Sequence, residues 1–357
     1  MPPAAGAPMA PVRPRTYVRA MTNPAAATAP PAPDATIHAL LAEGKGILAA
    51  DESTGTIEKR LRSVGVDSTT TSRRAYREML FTAPQLSEHI GGVILFDETL
   101  RQTTSTGKPM VDLLRERGLV PGIKVDRGAK PFPAFPGEKI TEGLDGLRER
   151  LAEYAGLGAA FTKWRAVFSI GPERPSPTCL AANAHALARF AALTQEVGLV
   201  PIVEPEVLTD GDHPLERTEE VTTMALAAVV HELHAHRVVL EHVLLKPNMI
   251  LPGRDHPRPR PSRETVATAT LRCLRRTVPA AVPGIVFLSG GQSETEATEH
   301  LAALNAAGTA PWALSFSFGR ALQASALAAW HGDDANVQLA QETLLRHARA
   351  NRVARRR

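Results

Sequence analysis

From residue 36 onward, short apolar runs alternate with longer segments in which apolar residues return every three or four positions. Runs at 46–50, 92–96, 122–125, 160–168, 199–203, 242–246, 284–288 and 312–316 have the length and apolarity of buried strands. Segments 72–82, 144–154, 180–197, 218–236, 263–277 and 294–306 carry the helical period. Eight strand-then-helix repeats predict an α/β chain folded as a single (β/α)8 TIM barrel over 36–357. An open doubly wound sheet is the competing fold, but no Gly-x-Gly-x-x-Gly turn follows the first run.

Residues 1–35 break the pattern. They are mostly Ala, Pro and Thr, with Arg13, Arg15 and Arg19 and no acidic residue before Asp34. Such a stretch lacks the apolar surface to offset its chain entropy, so a disordered extension is expected. A transit peptide, or a start of translation at Met21, are the other readings of the same residues. No apolar run reaches the length of a membrane span, and two cysteines, Cys179 and Cys273, imply no disulfide framework. A cytoplasmic protein in a reducing compartment is expected. The formal charge of +4 suits anionic partners, but aromatic residues make up only 4%, too few for a nucleic-acid face built on stacking. The expected partners are therefore small anions, with no nucleic acid and no membrane.

Polar residues stand at the C-terminal ends of the apolar runs, where a barrel of this kind carries its active site. Asp51 follows the first run and Lys124 lies in the third; Lys163 and Arg165 share a face of the fourth. Glu204 and Glu206 follow the fifth, and Lys246 ends the sixth, in Glu241-His-Val-Leu-Leu-Lys-Pro-Asn248. A lysine at the end of a buried strand is either a desolvated amine with a lowered pKa or a strand terminus that snorkels to water. Only eight of the 41 basic residues are lysine, which favours a task that arginine cannot perform, such as forming a Schiff base. Glu204 then becomes the candidate acid and base, Asp51 the candidate proton acceptor, and Glu206 a residue that positions Lys246 or Lys163.

Two phosphate sites suggest themselves. Ser289, Gly290 and Gly291 form a turn after the seventh run, and Gly319-Arg320 opens the last helical pattern. Loops in those two places form a recurrent phosphate site of such barrels. Across the rim, Ser53, Thr56, Arg60, Lys124 and Arg165 are candidates for a second phosphate. His231-Glu-Leu-His-Ala-His236 departs from the His-Glu-x-x-His spacing of zinc enzymes, so no metal site is expected there.

Several of these stretches occur, in order, in a known family. Gly46-Ile-Leu-Ala-Ala-Asp-Glu-Ser-Thr-Gly55, Gly122-Ile-Lys-Val-Asp126, Lys163-Trp-Arg165 and Val203-Glu-Pro-Glu206 are four of them. Leu244-Leu-Lys-Pro-Asn-Met249, Leu288-Ser-Gly-Gly-Gln-Ser293 and Gly319-Arg-Ala-Leu-Gln323 continue the series. Over roughly 36–352 the chain resembles the class I, Schiff-base fructose-bisphosphate aldolases. The resemblance implies reversible cleavage of fructose 1,6-bisphosphate to dihydroxyacetone phosphate and glyceraldehyde 3-phosphate, without metal or other cofactor. It places the chemistry on Lys246, Glu204, Lys163 and Asp51, one phosphate on Ser289, Gly290 and Arg320, and the other near Ser53, Thr56, Lys124 and Arg165. A homo-oligomer, a tetramer in relatives, is implied as well. The familiar animal pattern has serine at position 56, tyrosine at 318 and a tail ending in tyrosine; here stand Thr56, Phe318 and a terminus at Arg357. Rival readings are a Schiff-base aldolase or transaldolase for another sugar phosphate, and an inactive barrel used as a scaffold.

Overall fold

A computed structural model of the chain describes residues 31–355 apart from Arg258. Ten strands occur in it: β1 (Gly46–Ala50), β2 (Ile90–Leu95), β3 (Val120–Lys124), β4 (Ala129–Pro131), β5 (Lys139–Thr141), β6 (Phe161–Phe168), β7 (Val200–Val207), β8 (Leu244–Leu245), β9 (Gly284–Phe287) and β10 (Ala313–Phe318). Eight of them close a parallel barrel in the order β1-β2-β3-β6-β7-β8-β9-β10, with β10 back against β1. The remaining two, β4 and β5, form an antiparallel hairpin that follows β3. The expected barrel is therefore present. Of the extension expected over 1–35, residues 1–30 lie outside the described residues, and a helix already opens at Pro33.

The barrel interior explains how one strand serves both core and site. Ile47, Ala49, Ile94, Phe161, Val200, Ile202, Leu244 and Val286 fill its lower half. Two residues on, on the same faces, stand Asp51, Lys163, Glu204 and Lys246. On these four strands the inward row thus passes from apolar to ionisable as it climbs. The outward rows of the strands pack against the surrounding helices in a second, larger apolar cluster.

The helix Pro33–Leu41 closes the lower end of the barrel, sending Ile37 and Leu40 into the inner cluster. It approaches so closely that a Cβ on Gly91 would lie 2.4 Å from the Ala39 carbonyl oxygen. Only glycine fits there.

Arg355, just past the last helix (Val337–Ala354), grips the same end. Its guanidinium donates to the carbonyls of Ala42 at 3.0 Å, Leu314 at 3.2 Å and Leu41 at 3.3 Å, and also to that of Lys45. Two of these carbonyls end the helix Pro33–Leu41, where a cation is favoured by the macrodipole. Arg355 therefore acts on the barrel floor. Arg355→Ala should lower unfolding stability by about 1.5–3 kcal/mol, the worth of a charged hydrogen-bonding group. Urea unfolding reads the loss, and turnover at 25 °C should stay unchanged; a fall in kcat with stability intact would contradict this placement.

Candidate active site

At the C-terminal ends of the strands lies a cleft of about 1270 Å³. Five of the eight lysines line it, and its wall carries eleven lysines and arginines against seven carboxylates. That balance favours an anionic ligand. Of the residues singled out by sequence, Asp51, Ser53, Thr56, Arg60, Lys124, Lys163, Arg165, Glu204, Glu206, Lys246, Ser289, Gly290, Gly319 and Arg320 all face it.

Four groups form its centre. Lys163 Nζ lies 2.8 Å from Asp51 Oδ2 and 2.8 Å from Glu204 Oε2, and Lys246 Nζ lies 3.2 Å from Glu204 Oε1. All four side chains are buried. Lys163 sits on β6 opposite Ile202 of β7, so Glu204 stands two residues further up the neighbouring strand. The Lys246 amide donates to the Val203 carbonyl at 2.8 Å, which fixes it beside Glu204 although β8 itself has only two residues. A 3₁₀ turn at Leu240–His242 shortens the strand expected over 242–246.

Burial acts on both lysines in the same direction, and their neighbours separate them. At Lys163 burial disfavours the cation, but the charges of Asp51, Glu204 and Asp126 outweigh it and hold the pKa well above the ordinary lysine value. Burial also dominates at Lys246, where Glu204 compensates only in part and the Lys163 charge adds to the effect, so the pKa falls below the ordinary value. Asp51 and Glu204 would be raised by burial, yet Lys163 and then Lys246 bring both below the usual carboxylate range. One amine is thus kept charged and the other is released towards its neutral form. Such a divergence between neighbours marks separate acid–base roles.

Glu206 corrects an expectation. It touches neither lysine: two residues above Glu204, about 6.6 Å further along β7, it pairs with Arg165 Nε. Arg165, read as a phosphate ligand, therefore already has a carboxylate partner, although its side chain is 40% exposed to the cleft. Lys124 is likewise paired with Asp126, whose Oδ1 also accepts from the Gly128 amide at 3.0 Å and whose Oδ2 accepts from the Arg165 amide at 3.1 Å. Arg60 pairs with Glu52, and Glu52 Oε2 is in turn 2.5 Å from the buried Arg77 guanidinium. These partners orient the cations at the rim. Sequence reading missed Glu52, Arg77 and Asp126; for Asp126 the signal was its position two residues after Lys124 on an extended strand end.

Gly291 is the second correction. It does not line the cleft, its φ is +75°, and a Cβ would lie 2.5 Å from Thr209 Oγ1. Its task is the turn itself. Gly290 does face the cleft, with Glu206 Oε1 2.9 Å from where a Cβ would stand. The helices Thr54–Arg62, after Ser53, and Arg320–Trp330, after Gly319, begin at the cleft without a capping side chain on their amides. Free amides at a helix N-terminus suit an anion.

A family model described as fructose-bisphosphate aldolase class-I matches residues 34–357. A probable fructose-bisphosphate aldolase class 1 from Xanthomonas campestris is 52% identical over 320 residues, covering 89% of this chain and 96% of that protein. The cytoplasmic isozyme of fructose-bisphosphate aldolase from Cicer arietinum is 56% identical over 313 residues, covering 87% of each. Among solved structures, fructose-bisphosphate aldolase from Plasmodium falciparum, in complex with TRAP and a small-molecule inhibitor, superposes with a TM-score of 0.89. That chain is 46% identical, with 92% of this chain and 97% of that one covered.

Proposed function

The chain belongs to the class I fructose-bisphosphate aldolase family, and from that premise we propose that it cleaves fructose 1,6-bisphosphate through a Schiff base on Lys246. The observation that carries the reading is the buried amine of Lys246, lowered in pKa and set 3.2 Å from Glu204, beside a second lysine held charged. A neutral amine attacks the C2 carbonyl of the open-chain ketose. Glu204 carries one amine proton to the carbinol oxygen and then relays a second, taken up from solvent, so that this oxygen leaves as water and the protonated iminium remains. Asp51, ionised beside Lys163, takes the proton of the C4 hydroxyl. The C3–C4 bond then breaks, its electrons move into the iminium as an enamine, and glyceraldehyde 3-phosphate departs. Protonation of the enamine at C3 and hydrolysis of the renewed iminium release dihydroxyacetone phosphate and restore the amine. Lys163 holds the two carboxylates apart and favours their return to the ionised form after each proton transfer.

The substrate's phosphates belong at the two ends of the cleft: one on Ser289, Gly290 and the Gly319-Arg320 helix start, the other on Ser53, Thr56, Arg60, Lys124 and Arg165. Two uncapped helix starts and the excess of cations in the wall support this reading. Arg320→Ala should cost about 1.5–3 kcal/mol in kcat/KM, the worth of one charge-assisted contact. Steady-state kinetics with fructose 1,6-bisphosphate and fructose 1-phosphate should show similar losses, since both substrates carry that phosphate; a loss confined to the bisphosphate would move Arg320 to the other site. The same reading includes the homo-oligomeric, tetrameric assembly that the family resemblance implies and a cytoplasmic location, the latter supported by the name of the Cicer arietinum relative.

Borohydride reduction in the presence of dihydroxyacetone phosphate tests the central claim. The triose should appear on the peptide that contains Lys246, with activity lost in proportion. Label on Lys163 or Lys124, or no label at all, would overturn the assignment.

A further inference from the structure

Outside the cleft, three metal-ligating side chains meet on the outer helix layer. Glu232 and His236 stand four residues apart at the end of the helix Leu215–Ala235, on one face of it. His185 reaches them from the neighbouring helix Pro177–Glu196. Nδ1 of His185 lies 3.2 Å from Glu232 Oε2, and Nδ1 of His236 lies 3.4 Å from the same oxygen. The two imidazoles meet edge to face, with ring centres 4.7 Å apart.

We propose that His185, Glu232 and His236 bind one borderline divalent transition-metal ion, zinc in the first place, which fastens these two helices together. Bonds of about 2.0–2.1 Å in a tetrahedron set neighbouring ligand atoms about 3.3 Å apart, and the two nitrogen-to-oxygen separations already match that spacing. The His185 side chain is 53% exposed, so a water has access to the fourth position. One carboxylate oxygen faces a nitrogen of each ring, and a dication placed among the three ligand atoms would attract all of them. Two imidazole nitrogens and one carboxylate select zinc and its neighbours over magnesium or calcium, which favour all-oxygen shells. His236 Nδ1 also lies 2.9 Å from the Glu232 backbone oxygen. On binding, His236 takes the tautomer that carries its proton on Nε2, so Nδ1 turns its lone pair to the ion and the carbonyl, at an open helix end, turns to water.

The site has no part in the aldol chemistry, since none of its ligands lines the cleft. Its effect is on stability. An ion that binds the folded chain alone raises the unfolding midpoint with its concentration. Sequence spacing concealed the site: His231-Glu-Leu-His-Ala-His236 supplies only two ligands, and the third lies 47 residues before Glu232.

The test is a zinc titration of the full chain after EDTA treatment, followed by calorimetry and by the midpoint of thermal unfolding. Wild type should saturate at one zinc per chain with a rising midpoint, and cobalt(II) should give the visible absorption of a four-coordinate ion. His185→Ala with His236→Ala should weaken zinc binding by about tenfold or more and abolish the midpoint shift. Glu232→Gln, which keeps the side-chain shape, should weaken binding too. Aldolase turnover of the stripped variants reports that they are folded. Zinc binding of equal strength and stoichiometry in wild type and the double variant would overturn the proposal, as would no saturable binding in wild type.

Discussion

Lys246→Arg should leave the barrel folded, lower cleavage of fructose 1,6-bisphosphate by about 10⁴-fold or more, and yield no borohydride-stable adduct. The substitution keeps a positive charge beside Glu204 and removes only the capacity to become a neutral amine, which arginine lacks. Because the site is buried, Lys246→Met serves as a second variant that adds no bulk beyond the lysine stem. Circular dichroism and thermal unfolding report the fold, single-turnover kinetics report the chemistry, and substrate binding should persist in both variants. The wild-type pH profile carries the complementary sign. The amine must be neutral to attack, so kcat/KM rises as pH rises through its pKa. Burial and the Lys163 charge lower that pKa, so the acidic limb lies below the ordinary lysine range. Residual cleavage within tenfold of wild type in Lys246→Arg would mean that the covalent step runs elsewhere.

Legibility in the sequence followed the physics of each signal. Helices at Arg263–Thr277 and Glu294–Ala306 stand where the helical period placed them, because Ser262 and Ser293 cap their first turns with donors and acceptors local in sequence. The first strand, Gly46–Ala50, also coincides with its apolar run. Period-two faces brought Lys163 with Arg165 and Glu204 with Glu206 onto the inner wall. Height along the strand was beyond that argument. Facing alone cannot separate Glu204, level with the two lysines, from Glu206, one step up beside Arg165. The fifth apolar run ends at 203 in the sequence, where charged residues and Pro205 follow it, yet β7 continues to Val207. Its carboxylates are tolerated in the interior because cations from β6 and the end of β8 meet them there.

The buried pair of Arg77 and Glu52 was invisible for a different reason. Arg77 lies in the helix Thr70–Phe81, where it reads with Arg73 and Arg74 as a solvated face; only the tertiary fold turns it inward to meet Glu52 and, through it, Arg60. His185 is hidden in the same way. Contacts between groups distant in sequence leave no periodic trace.

Lys163→Met should lower kcat/KM by about 10²–10⁴-fold, the range of a lost acid–base partner, and it should move the acidic limb of the pH profile to higher pH. The direction follows from the charges. Lys163 stands between Asp51 and Glu204 at 2.8 Å from each, and its charge is one of the causes that lower the Lys246 pKa. Removing it takes away that repulsion and leaves Glu204 to Lys246 alone, so the Lys246 ammonium becomes harder to deprotonate. The two carboxylates lose the cation that most strongly counters their burial, and both rise towards their ordinary range. Asp51 is then a base without an anchor, and C–C cleavage should suffer more than formation of the adduct with dihydroxyacetone phosphate. Borohydride trapping of Lys246 should still be measurable in this variant at high pH, which separates it from Lys246→Arg. A rate loss with the acidic limb unmoved would reduce Lys163 to a packing role. A shift to lower pH would show that Lys246 has its charged form stabilised by groups other than those that surround it here.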